Sequence, residues 1–150
     1  MKLAEALQER ADLNRRMEQL RARLCRNATV QEGESPAEDP MELLAEADAC
    51  AARLEELMTR INLTNSTVKT GGVTLTELIA RKDALTLKIS VYRDLLSNAS
   101  QLASRAARSE IRIRSAVDVR ALQKQTDALS RDLRETDNLL QQANWTADLL

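Results

Sequence analysis

The sequence has no histidine and no phenylalanine, and its 150 residues include one tyrosine, Tyr92, and one tryptophan, Trp145. Without histidine the chain lacks the commonest general acid–base and the commonest transition-metal ligand. Catalysis would have to rest on carboxylates, lysines, Tyr92 or a cysteine, and we expect a non-enzyme with no cofactor and no metal. Few aromatics also means few stacking platforms for single-stranded nucleic acid. Two cysteines, Cys25 and Cys50, are too few for a disulfide framework. The helix assignment below separates them by roughly 15 Å along the axis, beyond the ~7 Å between Cα atoms that a bridge allows. Both read as reduced packing residues of a cytoplasmic chain. No window approaches the ~18 apolar residues of a membrane span. "MKLAEALQERADLN" has no apolar run after Lys2, so no signal peptide and no membrane partner are expected.

What is present is leucine, alanine, glutamate and arginine, interrupted by only three glycines and two prolines. That is the composition of long packed helices, close to coiled coil. The net charge of −1 conceals segregation. Residues 1–26 hold seven basic against four acidic side chains, and residues 27–62 hold two against nine. The first two helices should therefore attract one another or a partner.

Helix one is expected over about residues 2–25, with a stripe of Leu3, Leu7, Leu13, Met17, Leu20 and Leu24. Arg10 interrupts this stripe and Asn14 borders it; a long side chain snorkelling from the seam explains Arg10. "EDPME" starts helix two, with Asp39 as N-cap, Pro40 at the first helical position and Glu42 in the first turn. Helix two is expected to run to about residue 62, where the polar connector "NLTNSTVKTGG" ends it. Thr74 and Glu77 form a capping box for helix three, which carries Leu75, Leu78, Leu85, Ile89, Tyr92 and Leu96 on one face to about residue 97. Asp118 caps helix four, whose narrower stripe is Leu122, Thr126, Leu129, Leu133, Thr136 and Leu140 to about residue 143. Trp145, in the closing "NWTADLL", is expected to anchor the tail in a groove.

"RSEIRIRSAVD", residues 108–118, alternates instead: Ile111, Ile113 and Val117 against Glu110, Arg112 and Arg114. Period two is a strand signal. In an up-down-up-down bundle the linker between helices one and two lies at the same end as that between helices three and four. The first of these linkers contains "NATVQEG", with a weaker alternation. We therefore expect a mainly α chain: four long antiparallel helices in a single bundle domain over 1–150. Residues 27–32 and 109–116 would pair as a small two-stranded sheet at one end. A lone ribbon has exposed edges and thin helices leave apolar faces, so a homo-oligomer is expected.

Several runs taken together carry a resemblance: "MKLAEALQERADLNRRMEQLRARL", "NATVQEGESPAEDPMELL", "TLTELIARKDAL", "RSEIRIRSAVDVRALQKQTDALSRDLRETD" and "NWTADLL". The chain resembles, over nearly its whole length, an uncharacterised bacterial family typified by a hypothetical Corynebacterium protein, some of whose members are labelled septicolysin. The resemblance implies a helical, cytosolic, oligomeric protein and assigns no catalytic residues. The label suggests a thiol-activated membrane-attacking toxin. The sequence lacks a Trp-rich tip with a nearby cysteine and the β-rich bulk of a pore-forming barrel, so a haemolysin is not expected.

The leading expectation is a non-enzymatic self-assembling or scaffold protein acting through helical faces and a shared β element. Its candidate interaction residues are Arg10, Asn14, Ile111, Ile113 and Trp145. The alternative is an RNA- or ribosome-associated hairpin using Arg15, Arg16, Arg21, Arg23 and Arg26. An acids-only Mg²⁺ or Ca²⁺ site involving Glu77 or Asp83 is a third idea; cap and surface roles account for both residues.

Overall fold

The computed structural model describes residues 1–101 and 112–150. They form four helices, α1 (Leu3–Arg26), α2 (Pro40–Thr67), α3 (Leu75–Ser100) and α4 (Val119–Thr146). A two-stranded antiparallel sheet, β1 (Lys69–Thr70) and β2 (Val73–Thr74), completes the mainly α fold. The chain divides into two compact units. One comprises Met1–Val68 with Ala143–Leu150, the other Lys69–Gln142.

The helix starts follow the sequence signals. The Glu5 carboxylate accepts the Lys2 backbone N–H at 2.7 Å. Asp39 Oδ1 accepts the Met41 N–H at 2.8 Å, with Pro40 at the first helical position. Thr74 and Glu77 close a reciprocal box: Thr74 Oγ1 accepts the Glu77 N–H at 3.2 Å and the Glu77 carboxylate accepts the Thr74 N–H at 2.7 Å. Asp118 Oδ1 accepts the Ala121 N–H at 3.0 Å. Each satisfies a donor that a helix N-terminus otherwise leaves without a partner.

The sheet is present but lies elsewhere than expected. It is the hairpin "KTGGVT", with Thr70 opposite Val73 and Gly71 and Gly72 at φ 59° and 88°. Two left-handed residues are what a tight two-residue turn between twisted strands requires. Residues 27–32 form no strand. Asn27 draws their linker back, its side chain donating to the Arg23 carbonyl at 2.9 Å and accepting the Glu38 N–H at 3.1 Å. Gly33 then turns the chain at φ 86°. Of the other expected strand, residues 109–111 lie outside the described residues, and 112–116 are not strand. There Ser115 bonds locally to the backbone of Val117, which leads directly into the Asp118 cap.

In the first unit α1 and α2 are antiparallel, as their ion pairs show: Glu9 with Arg53, Arg16 with Glu46, Arg23 with Glu38. Leu20 packs with Leu43, Ala47 and Cys50, flanked by Leu13, Met17 and Leu24. Cys25, by contrast, is exposed and is not a packing residue. Helix α2 continues past the expected stop at residue 62 because Thr64 is wholly buried. Its hydroxyl donates to the Arg60 carbonyl at 2.8 Å and accepts the Leu150 N–H at 3.0 Å. A threonine that closes its own hydrogen bond inside a helix brings little polar cost to the seam.

The chain's end is stitched to its beginning. Leu3 N–H donates to the Ala147 carbonyl and Leu149 N–H to the Met1 carbonyl, each at 3.0 Å, an antiparallel bridge of Lys2 with Asp148. Lys2 Nζ pairs with the Asp148 carboxylate at 2.8 Å, and Arg60 Nε donates to the Leu150 carbonyl at 2.8 Å. Leu149 is the tail's buried side chain. Trp145, expected to anchor the tail, is 67% exposed.

In the second unit Leu75, Leu78, Leu85 and Ile89 of α3 are buried, as are Leu122, Thr126, Thr136 and Leu140 of α4. Lys82 interrupts the α3 face and is paired with Asp137 of α4 at 2.6 Å. Arg81 pairs with Asp132 at 2.7 Å.

Replacing Thr64 by Val keeps the shape and removes both hydroxyl bonds, leaving the Leu150 N–H without its acceptor. We expect Thr64→Val to lose about 1–2 kcal/mol in urea denaturation and Thr64→Ser to lose less, since serine keeps the hydroxyl. Equal losses for the two would remove the hydrogen bond from this account.

Candidate interaction surface

Charge on the first unit is largely consumed internally. The pairs on α1 fall at positions 9, 16 and 23, one heptad apart; their partners are Arg53 and Glu46 on α2 and Glu38 just before its Asp39 cap. Glu9 takes Arg53 in a two-pronged contact, Nε at 2.7 Å and an Nη at 3.0 Å. Arg23 meets Glu38 in the same forked way. Arg15 and Arg21 pair with Asp12 and Glu18 one turn earlier on α1. Arg26 donates to the Ala22 carbonyl. The expected attraction between basic α1 and acidic α2 is realised as two interhelical pairs, Arg16–Glu46 and the sign-reversed Glu9–Arg53, and a third from Arg23 to Glu38 at the entry to α2.

The second unit offers a different kind of surface. At about 100° per residue, Ala80, Ala84, Leu87, Val91 and Leu95 fall within one strip of α3 about 80° wide. It lies on the side opposite the buried Leu78, Leu85 and Ile89. Ala80 and Ala84 are exposed. Leu87 is 70%, Val91 58% and Leu95 46% exposed, too open for side chains that are packed. Basic Arg81 and Lys88 border the strip on one side, and acidic Asp83 and Asp94 on the other. On the basic side Lys88 Nζ sits 5.7 Å from the centroid of the Tyr92 ring, a cation–π distance. The strip does not stop at the helix end: Leu95, Asn98 and Ala99 share a cleft of about 180 Å³ with Ile113 and Val117.

Of the residues expected to interact, Ile113 is therefore the one brought to this surface, 40% exposed beside Leu95. Ile111 lies outside the described residues. Arg10 is half-buried and Asn14 exposed, both on α1 of the first unit, and Trp145 stands exposed on the last turn of α4. Leu87, Val91 and Leu95 escaped the sequence reading. Their signal was there: apolar residues at 87, 91 and 95 repeat at helical spacing beside those at 85, 89, 92 and 96. Among the described residues no three Cys, Asp or Glu side chains gather as a metal site, and no helix is long and apolar enough to cross a membrane.

Residues 10–149 match a family of unknown function (DUF6847). The chain belongs to this family. It is also similar to a solved structure described as a functionally unknown conserved protein from Corynebacterium diphtheriae. The two are 37% identical, with a TM-score of 0.89, covering 100% of this chain and 99% of the other. A comparison with curated proteins gives no match. The family resemblance seen in the sequence is upheld in part: the chain belongs to an uncharacterised family and is similar to a Corynebacterium protein, and the septicolysin label is not shown.

The ion pairs give stability a pH dependence. Hydrogen bonds from Arg53 hold the Glu9 carboxyl below its ordinary value, those from Arg23 do the same for Glu38, and Lys2 for Asp148. For a carboxyl depressed in the folded state, the stabilisation is complete above its unfolded value and is lost as pH falls through the folded one. The melting temperature should therefore hold from pH 7 to about 5 and fall below about pH 4. Arg53→Gln should lower the pH 7 melting temperature and shallow the acid decline, followed by circular dichroism. An unchanged acid decline in that variant would contradict the role given to Glu9.

Proposed function

We propose that the protein is a non-enzymatic, self-assembling cytoplasmic protein that works by presenting helix faces to other chains. One observation carries this: α3 is apolar on two opposite faces, and its outward strip Leu87–Val91–Leu95 is left open. A soluble helix confines its apolar residues to one stripe; one apolar all round is normally covered all round.

The alternative, an RNA- or ribosome-associated hairpin, rests on the basic α1. It is weakened because Arg15, Arg16, Arg21 and Arg23 each already face a carboxylate. A pore-forming role gains nothing from helices of which none, among the described residues, could span a bilayer.

Light scattering coupled to size exclusion should return a homo-oligomer at micromolar concentration, with Val91→Glu shifting it towards monomer while retaining helical circular dichroism. A monomer at that concentration would count against assembly. Salt-sensitive retardation of RNA by that monomer would favour the alternative, because phosphate contacts weaken steeply with ionic strength.

A further inference from the structure

We infer that the outward strip of α3 is covered by the same strip of a second copy, the two helices running parallel about a two-fold axis. The inference rests on the assembly reading and adds to it the surface, the partner and the orientation.

The flanking charges select the arrangement. Along one border of Ala80, Ala84, Leu87, Val91 and Leu95 stand Arg81 and Lys88, and along the other Asp83 and Asp94. When two copies of a helix pack antiparallel about a two-fold axis, each border meets the same border of its partner. Basic would then face basic and acidic face acidic. When they pack parallel, each border meets the opposite one, as flanking positions do in parallel coiled coils. Asp83 of one copy then lies five residues before Lys88 of the other, the spacing at which such cross-pairs form, and symmetry repeats the pair. Like charges set opposite each other suppress wrong arrangements more effectively than attraction rewards right ones.

The strip itself suits a self-contact. Its middle is Leu87 and Val91 and its early end Ala80 and Ala84, so small residues let the backbones converge where the larger ones would hold them apart. Glu77, also near the strip, is occupied by the Thr74 cap. Arg81 is already drawn towards Asp132 of α4, which leaves Lys88 as the basic partner.

The test uses the full chain with Cys25→Ser, since that cysteine is exposed and Cys50 is buried. Leu87→Cys should form a disulfide-linked dimer on mild oxidation, because parallel in-register packing sets position 87 against itself. In sedimentation, Asp83→Lys should raise the dimer dissociation constant about tenfold, and Asp83→Lys with Lys88→Asp should bring it back. Three outcomes overturn the inference in different ways. If the protein is monomeric, the assembly reading falls with it. If it is oligomeric and indifferent to Val91→Glu, assembly stands and this surface is wrong. If Leu87→Cys stays unlinked while a mixture of Leu87→Cys and Leu95→Cys crosslinks, the surface is right and the orientation is antiparallel. Rescue by the charge swap separates a lost contact from a misfolded variant.

Discussion

Ion pairs run alongside the leucine and alanine packing of α1 against α2, where no aromatic side chain is buried among the described residues to key one helix into the other. Leucine and alanine stripes can slide by a turn with little loss, because one leucine fills a neighbouring leucine's place almost as well. Two cross-helix pairs one heptad apart, with Arg23–Glu38 at the entry to α2, oppose that. A slip of one turn would part Arg16 from Glu46 and leave Glu9 without Arg53. Each pair is exposed enough to contribute little energy by itself. Their value lies in specifying one alignment among several that burial alone would accept.

That alignment has a consequence at the hairpin's open end. One heptad before Glu9 lies Lys2, the N-cap of α1, and one heptad after Arg53 lies Arg60 of α2, which also pairs with Glu56 at 3.6 Å. The tail supplies further acceptors: the Asp148 carboxylate and Thr146 carbonyl for Lys2, and the Leu149 and Leu150 carbonyls for Arg60. Thr64 then takes the remaining Leu150 N–H. The docking of the last residues thus completes a charge pattern set by the first helix, and the burial of Leu149 accompanies it.

Features whose signal and cause are both local were readable in the sequence. The caps at Asp39, Thr74 and Asp118 need only a short polar side chain and the helix that follows, and all three formed. The four helices followed from periodicity. The small sheet was expected in the wrong linkers because alternation in "EIRIRSAV" was given more weight than turn chemistry. "KTGGVT" holds two short extended pieces separated by two glycines, a direct hairpin signal, but with only two residues a side it shows no alternation. The extension of α2 through "NLTNST" was hidden for another reason. Thr64 is polar in composition, yet its hydroxyl is satisfied by Arg60 and by a residue 86 positions away, and no local pattern reports such a partner.

The candidate surface was hidden by a cancellation. Periodicity finds a helix face by contrast with the face behind it. In α1 and α4 the contrast is strong, and every residue of the expected stripes is buried or half-buried. In α3, Leu78, Leu85 and Ile89 point one way while Leu87, Val91 and Leu95 point the other, so contrast vanishes and either set can be taken for the core. Leu85, Ile89 and Tyr92 lie on the buried or half-buried side, and periodicity alone gives the second set no separate signal. A helix that lies between two apolar neighbours has this pattern by necessity. In the second unit one neighbour is α4, whose Asp132 and Asp137 hold Arg81 and Lys82. The other side has acidic and basic borders and, among the described residues, nothing packed across Leu87, Val91 and Leu95, so one face of α3 is satisfied and the other is open.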